Sequence, residues 1–172
     1  MKPVCPLRII LVEDDELFRL GLQTRLQQES CLQVIAEAED GETAVELTQE
    51  HLPNVVVLDV GLPGIGGIEA CRQIKQRPPD IPVLILTSHA QKSLIERLIW
   101  AGAQGYCLKG IAAETLVLAI RSVAAGASWW DRAATAEIRA VFANPEAVKV
   151  KVGSKLEVLE NPLTKRGQEI LA

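Results

Sequence analysis

The sequence is poor in aromatic side chains, with three Trp, two Phe and one Tyr in 172 residues, although 48% of it is hydrophobic. Its core therefore has to be built from Leu, Ile, Val and Ala. Two histidines, His51 and His89, stand far apart, and four cysteines (Cys5, Cys31, Cys71, Cys107) are scattered without a CxxC pair. This argues against a thiolate or imidazole metal centre and fits reduced packing residues in a cytosolic protein. No apolar run approaches the ~20 residues that cross a bilayer. The start, MKPVCPLRIILVEDDE, turns acidic too early for a signal peptide. Basic charge is also scarce in the main body: residues 1–126 carry 11 Lys and Arg against 16 Asp and Glu, while residues 127–172 carry 7 against 6. Nucleic-acid binding by that body is disfavoured, because phosphate contacts supply most non-specific affinity. GLPGIGG at residues 61–67 lacks both the GK[ST] ending and the GxGxxG spacing of phosphate-cradling loops.

What is present is regular alternation. Strand-like apolar runs occur at Arg8–Val12, Leu32–Ala36, Val55–Leu58, Val83–Leu86 and Gly105–Leu108. Helix-like segments separate them: Asp15–Gln28, with Phe18, Leu22 and Leu26 on one face, then Glu42–Glu50, Gly67–Gln76, Ser93–Ala101 and Ala113–Ala125. Gly102 and Gly126 close the last two. Five βα units in about 120 residues predict a parallel sheet covered on both faces. Right-handed crossovers favour an open, doubly wound sheet, since a closed barrel needs eight strands.

Such sheets place their chemistry at the carboxyl ends of the strands. The first run exits into Glu13-Asp14-Asp15-Glu16, the third into Asp59, the fourth into Thr87-Ser88 and the fifth into Lys109. Carboxylates, a hydroxyl and an ammonium thus converge on one rim from distant parts of the chain. Crowded carboxylates repel one another, and a hard divalent cation relieves the repulsion. Mg²⁺ takes a few carboxylate oxygens, keeps several waters and accepts phosphate oxygens. A carboxylate beside it can attack a phosphoryl group to form an acyl phosphate, a reaction in which the protein mainly positions groups and neutralises charge. Taken singly, Asp59 reads as a helix cap after a strand and Lys109 as a solvated lysine; together they read otherwise. Asp15 and Glu16 fit the first turn of a helix, where the dipole favours acids.

Glu13-Asp14, Asp59, Thr87 and Lys109, at the ends of runs one, three, four and five, resemble the response-regulator receiver domain of two-component signalling, over roughly residues 7–126. Pro63 and Gly67, four and eight places beyond Asp59, fit the family pattern, and Tyr106 resembles its switch aromatic while also suiting the core edge. The resemblance implies an α/β flavodoxin-like fold, a doubly wound five-stranded parallel sheet of order 2-1-3-4-5. It implies Asp59 as phosphoacceptor and Mg²⁺ held by Asp14, Asp59 and the Gly61 carbonyl, with Glu13 acting through water. It also implies a cytoplasmic protein that assists its own phosphorylation without turning over as an enzyme. On phosphorylation, Thr87 is expected to move toward the phosphoryl group and Tyr106 to fill the space left. A sensor histidine kinase is the implied donor, and a homodimer is compatible with the subfamily. His89 occupies a position that influences dephosphorylation in the family; a solvated loop histidine is the alternative. One departure is Gly110, where many receivers have a cis proline. It leaves the Lys109–Gly110 isomer open, since a non-proline cis bond costs about 3 kcal/mol, and it is shared by the subfamily with LuxR-type DNA-binding domains.

The chain is expected to divide into a receiver (1–126), a linker (127–160) and the start of a further domain (161–172). Trp129 and Trp130 are expected to lie against the receiver, and Ile138, Val141 and Phe142 to line one face of a short helix. AVKVKVGSKLEVLE alternates strictly and fits a small hairpin or a charged linker. NPLTKRGQEILA resembles the opening of the LuxR-type helix-turn-helix, NarL/FixJ-like, without the recognition helix that would enter the major groove. DNA would then be bound only by the missing part of a longer regulator. Two competing expectations are a stand-alone receiver acting through protein contacts and a small flavin-binding α/β protein. Clustered acids disfavour the second, because they repel a cofactor phosphate.

Overall fold

A computed structural model describes residues 5–144 of the protein. Eleven elements follow in the order β1 (Leu7–Val12), α1 (Glu16–Gln27), β2 (Leu32–Ala38), α2 (Gly41–His51), β3 (Val55–Asp59), α3 (Gly66–Lys75), β4 (Val83–Thr87), α4 (Lys92–Ala101), β5 (Gly105–Leu108), α5 (Ala113–Ala124) and α6 (Arg132–Ala143). The five strands pair in parallel in the order β2-β1-β3-β4-β5, the doubly wound sheet expected from the alternation. The described residues up to Glu137 form one compact unit, and those from Ile138 belong to another.

The apolar runs are continuous because both sheet faces are covered. Alternate residues go to opposite sides. Ile10, Val12, Val56, Leu58, Val83 and Ile85 join one core with Ala70, Cys71, Ile74 and Leu98 of α3 and α4. Ile9, Leu11, Val55, Val57, Leu84 and Leu86 join the other with Leu26, Leu116, Ile120 and Val123 of α1 and α5. Phe18 and Leu22 pack on that second core, as the spacing of α1 requires. Burial pushes the thiols of Cys71 and Cys107 up to about 12, so both behave as apolar packing groups.

Helix ends are set by local chemistry. Asp15 caps α1 by accepting from the Phe18 N–H at 2.8 Å, and Asp40 caps α2 by accepting from the Thr43 N–H at 2.8 Å. Gly102 ends α4 in the left-handed region at φ 86°, the conformation glycine adopts freely. The peptide from Lys109 to Gly110 is trans; the cis bond among the described residues is Pro78–Pro79. Gly21, in the middle of α1, is exposed, and a Cβ there would meet nothing within 4 Å. Gly21→Ala is therefore expected to stabilise the fold by about 1 kcal/mol, read as a higher urea midpoint with unchanged slope.

After α5 the chain returns to the sheet. Trp129 forms an isolated parallel bridge with Gly105 on the free edge of β5. Its N–H donates to Gln104 O at 2.9 Å and its carbonyl accepts from the Tyr106 N–H at 3.2 Å. Trp130 and Ala134 pack on the first core, so both tryptophans lie against the receiver as expected. A helix does cover Ile138, Val141 and Phe142. The alternating segment and NPLTKRGQEILA fall at residues 145–172, outside the described residues.

Candidate functional site

The strand order brings the acidic exits together. β1 and β3 are neighbours, and the order reverses around them, so Glu13 and Asp14 leave β1 beside Asp59 at the end of the central strand. One carboxylate oxygen from each of Glu13, Asp14 and Asp59 lies within 4.8 Å of the others. Glu13 is fully buried and Asp59 nearly so, whereas Asp14 opens to solvent. Lys109, arriving from β5, places Nζ 2.7 Å from Glu13 Oε2 and 3.2 Å from Asp59 Oδ1.

The charges do not balance. Three carboxylates face one ammonium, leaving a deficit of positive charge at a partly buried rim. Burial raises the Glu13 carboxyl above its ordinary range and the Asp59 charge adds to this; the Lys109 bond and the Asp15 N–H, which donates to Glu13 Oε1 at 3.1 Å, offset it in part. Burial pulls Lys109 down, but its bonds and charge contacts with Glu13 and Asp59 outweigh this and hold the ammonium above its usual value. A compact set of hard oxygen donors short of cationic charge suits a divalent ion such as Mg²⁺. The turn beyond Asp59 folds back over it: a Cβ on Gly61 would stand 3.4 Å from Asp59 Oδ2. That puts the Gly61 backbone beside the carboxylate.

Thr87 is the last residue of β4, and its hydroxyl is turned to the following loop. It donates to His89 O at 2.7 Å and accepts from the His89 N–H at 3.3 Å. Tyr106 is buried on β5, its hydroxyl donating to Asp131 Oδ2. Burial, reinforced by Asp131, pushes the phenol pKa above its ordinary value. The structure thus brings Glu13, Asp14, Asp59 and Lys109 into one cluster, with Thr87 on the same strand edge. Tyr106 sits at the β5 edge in a separate set of contacts.

Three participants escape a reading of the sequence. Phe18 presents its ring 4.8 Å from Lys109 Nζ, a cation–π contact. Arg19 donates to Glu13 O at 2.7 Å and to Glu39 Oε1 at 2.7 Å, tying the β1 exit to the end of β2. Asp131 partners Tyr106. Phe18 was visible as a core residue of α1, but its place beneath Lys109 depends on which strand lies beside that helix; Asp131 carries no sequence signal at all.

Comparison with known proteins agrees with this geometry. The family model described as the response regulator receiver domain matches residues 9–121. The transcriptional regulatory protein DegU of Brevibacillus brevis is 34% identical, covering 96% of this chain and 73% of its own length. The response regulator GacA of Pseudomonas aeruginosa is 41% identical over 120 residues, 70% of this chain and 56% of GacA. A crystal structure of a LuxR-family two-component response regulator from Aurantimonas sp. SI85-9A1 superposes with TM-score 0.72 at 34% identity, over 81% of this chain and 99% of that one. The chain spans little more than half the length of GacA and about three quarters of DegU. With the sheet order, the acidic rim and a family match over most of the chain in agreement, this protein belongs to the response-regulator receiver family of two-component signalling.

Proposed function

We propose that the protein accepts a phosphoryl group on Asp59 from a sensor histidine kinase and switches conformation to control a transcription output domain. The observation that carries this reading is the Asp59 carboxylate at the end of the central strand, 3.2 Å from the Lys109 ammonium and grouped with Glu13 and Asp14. Asp14, Asp59 and the Gly61 carbonyl would hold Mg²⁺, with Glu13 reaching it through water. Bound there, the ion supplies positive charge to the transferring phosphoryl oxygens.

The protein's own residues divide the remaining work. An Asp59 oxygen attacks phosphorus and the donor's leaving group departs, so the carboxylate becomes an acyl phosphate. Lys109, held cationic across the neutral range, neutralises a phosphoryl oxygen. The Thr87 hydroxyl exchanges its bond to His89 O for one to the phosphoryl group, and Tyr106 turns into the space vacated. Rearrangement of α4 and β5 then reports the modification. The DegU similarity runs along nearly the whole chain, tail included, which supports a transcription regulator over a stand-alone receiver. Among the described residues no helix is long and apolar enough to cross a membrane; the proposed regulator works in the cytoplasm and can pair as a homodimer.

Incubation with acetyl phosphate and Mg²⁺, followed by intact-mass measurement, tests it. One added phosphoryl group is expected on the wild type and none on Asp59→Asn, which keeps the volume and loses the nucleophile. An adduct of equal yield on the variant would place the acceptor elsewhere.

A further inference from the structure

Three consecutive residues of the segment between α5 and α6 hold Tyr106, each by a different group. Trp129 O accepts from the Tyr106 N–H at 3.2 Å. The Trp130 ring lies 5.9 Å from the Tyr106 ring, tilted by 58°. The Asp131 carboxylate accepts from the hydroxyl. That carboxylate is shared between two elements. While Oδ2 takes the Tyr106 hydroxyl, Oδ1 accepts from the Ala134 N–H at 2.8 Å and the Asp131 carbonyl accepts from the Thr135 N–H at 2.9 Å, together forming the N-terminal cap of α6.

The seat of this segment is built into β5. Gly105 leaves room for it: a Cβ there would stand 2.1 Å from Trp129 O, and the three atoms nearest to that Cβ all belong to Trp129. Ala134 is fully buried, and Glu137 reaches Lys92 of α4 at 3.5 Å. Residues 129–137 therefore cover the α4–β5 side of the receiver, with the hydroxyl of one tyrosine at the centre of the attachment.

We propose that residues 129–137 are a latch that reads the position of Tyr106: Asp131 holds the tyrosine hydroxyl at the α5–α6 segment and caps α6 with the same carboxylate, so a turn of Tyr106 toward Thr87 frees the start of α6. This rests on Asp59 being the phosphoacceptor and Tyr106 the switch. It adds the route by which the change reaches the chain beyond the receiver. A turn toward Thr87 removes the hydroxyl from Asp131 and the ring from Trp130 together. The carboxylate then loses the bond that fixes its orientation, and α6 loses a pre-set cap. Coupling of this kind is reciprocal. A latch that holds Tyr106 on Asp131 opposes phosphorylation, and cutting it favours the phosphorylated conformation. A hydrogen bond to a charged group shifts such an equilibrium on the order of tenfold or more.

Hydrogen exchange on the full chain, with and without beryllofluoride and Mg²⁺ as the acyl-phosphate mimic, tests this. In the wild type the mimic is expected to protect the loop around residues 60–67 and to speed exchange of the Ala134 and Thr135 amides about tenfold. Tyr106→Phe, which keeps the ring and removes the hydroxyl, should show that faster exchange without the mimic. Gly105→Ala, which pushes Trp129 off its seat without touching the cap residues, should do the same. Asp131→Ala should bind the mimic about tenfold more tightly than the wild type. If the mimic protects the 60–67 loop while Ala134 and Thr135 exchange as before, or if Tyr106→Phe leaves α6 protection unchanged, there is no latch. A wild type that shows no protection around residues 60–67 instead overturns the Asp59 reading and the phosphorylation half of this inference with it. The Tyr106→Phe result then decides the structural half by itself.

Discussion

Gly67→Ala is expected to destabilise the protein by about 4 kcal/mol, at the severe end for one added methyl group. Its ideal Cβ would lie 2.1 Å from Asp59 O, 2.8 Å from Val60 Cα and 3.0 Å from Asp59 C. All three are backbone atoms, so no rotamer change makes room. The Gly67 N–H donates to Val60 O at 3.2 Å, which pins the start of α3 against the end of β3. To accept a methyl group, α3 has to lift off, carrying Ala70, Cys71 and Ile74 out of the first core. A domain of this size is stable by only 5–15 kcal/mol or so, and most of that margin would go. Lifting α3 also moves the backbone of Asp59, so phosphoryl uptake should fall in whatever fraction remains folded. Urea denaturation measures the first effect and intact mass after acetyl phosphate the second. A variant within about 1 kcal/mol of the wild type would mean that the β3–α3 junction is far softer than this packing implies.

The glycine at position 67 illustrates what could be read in advance. Its place eight residues beyond Asp59 was legible through the resemblance to the receiver family, whereas the strand ends follow from the residues alone, because a buried strand reads as an unbroken apolar run and the residues that interrupt it stand out. The same property exposed Asp59, Thr87 and Lys109 as strand exits, and the βα alternation pointed to a doubly wound parallel sheet, while its order 2-1-3-4-5 came from the resemblance to the receiver family. Boundaries moved where backbone pairing, which has no side-chain signature, continues past the apolar run. β3 and β4 include Asp59 and Thr87, whose backbones pair with Leu86 and Leu108. β2 runs on to Ala38 through Glu37, an acidic residue held by Arg19 of α1 at 3.5 Å. Contacts between side chains of separate elements stayed hidden. The hold of Asp131 on Tyr106 spans 25 positions, and neither residue type requires the other. Gly105 gave no warning either: a glycine opening a strand has many explanations, and only the bridge to Trp129 selects one.

Lys109→Met should produce a stability deficit that depends on pH. The lysine side chain is 20% exposed and that of Glu13 1%, and their charged atoms lie 2.7 Å apart. Methionine keeps an apolar, sulfur-bearing chain beside the Phe18 ring but leaves Glu13 with the Asp15 N–H as its remaining donor and with the Asp59 charge still close. Removing one partner of a buried ion pair costs about 3–5 kcal/mol, and the partial exposure of Lys109 places this case near the lower figure. Glu13 can escape the cost by protonating. Burial already raises its folded pKa above the ordinary 4.5, and loss of the ammonium raises it further. A carboxyl whose folded pKa exceeds its unfolded value binds more protons in the native state. Stability therefore declines as pH rises from the unfolded value through the folded one, and levels off above it. Lys109, itself held above its usual value, does not titrate in this range in the wild type. The deficit of the variant should be small near pH 4.5 and reach about 3 kcal/mol at pH 8. Mg²⁺ should recover part of it at pH 8, since a divalent cation among Glu13, Asp14 and Asp59 replaces the missing charge and stabilises whichever state binds it. Urea midpoints at pH 5 and pH 8, each with and without Mg²⁺, separate the contributions. A deficit of equal size at both pH values, indifferent to the ion, would show that Lys109 acts through packing on Phe18 and that the acidic cluster does not need its charge.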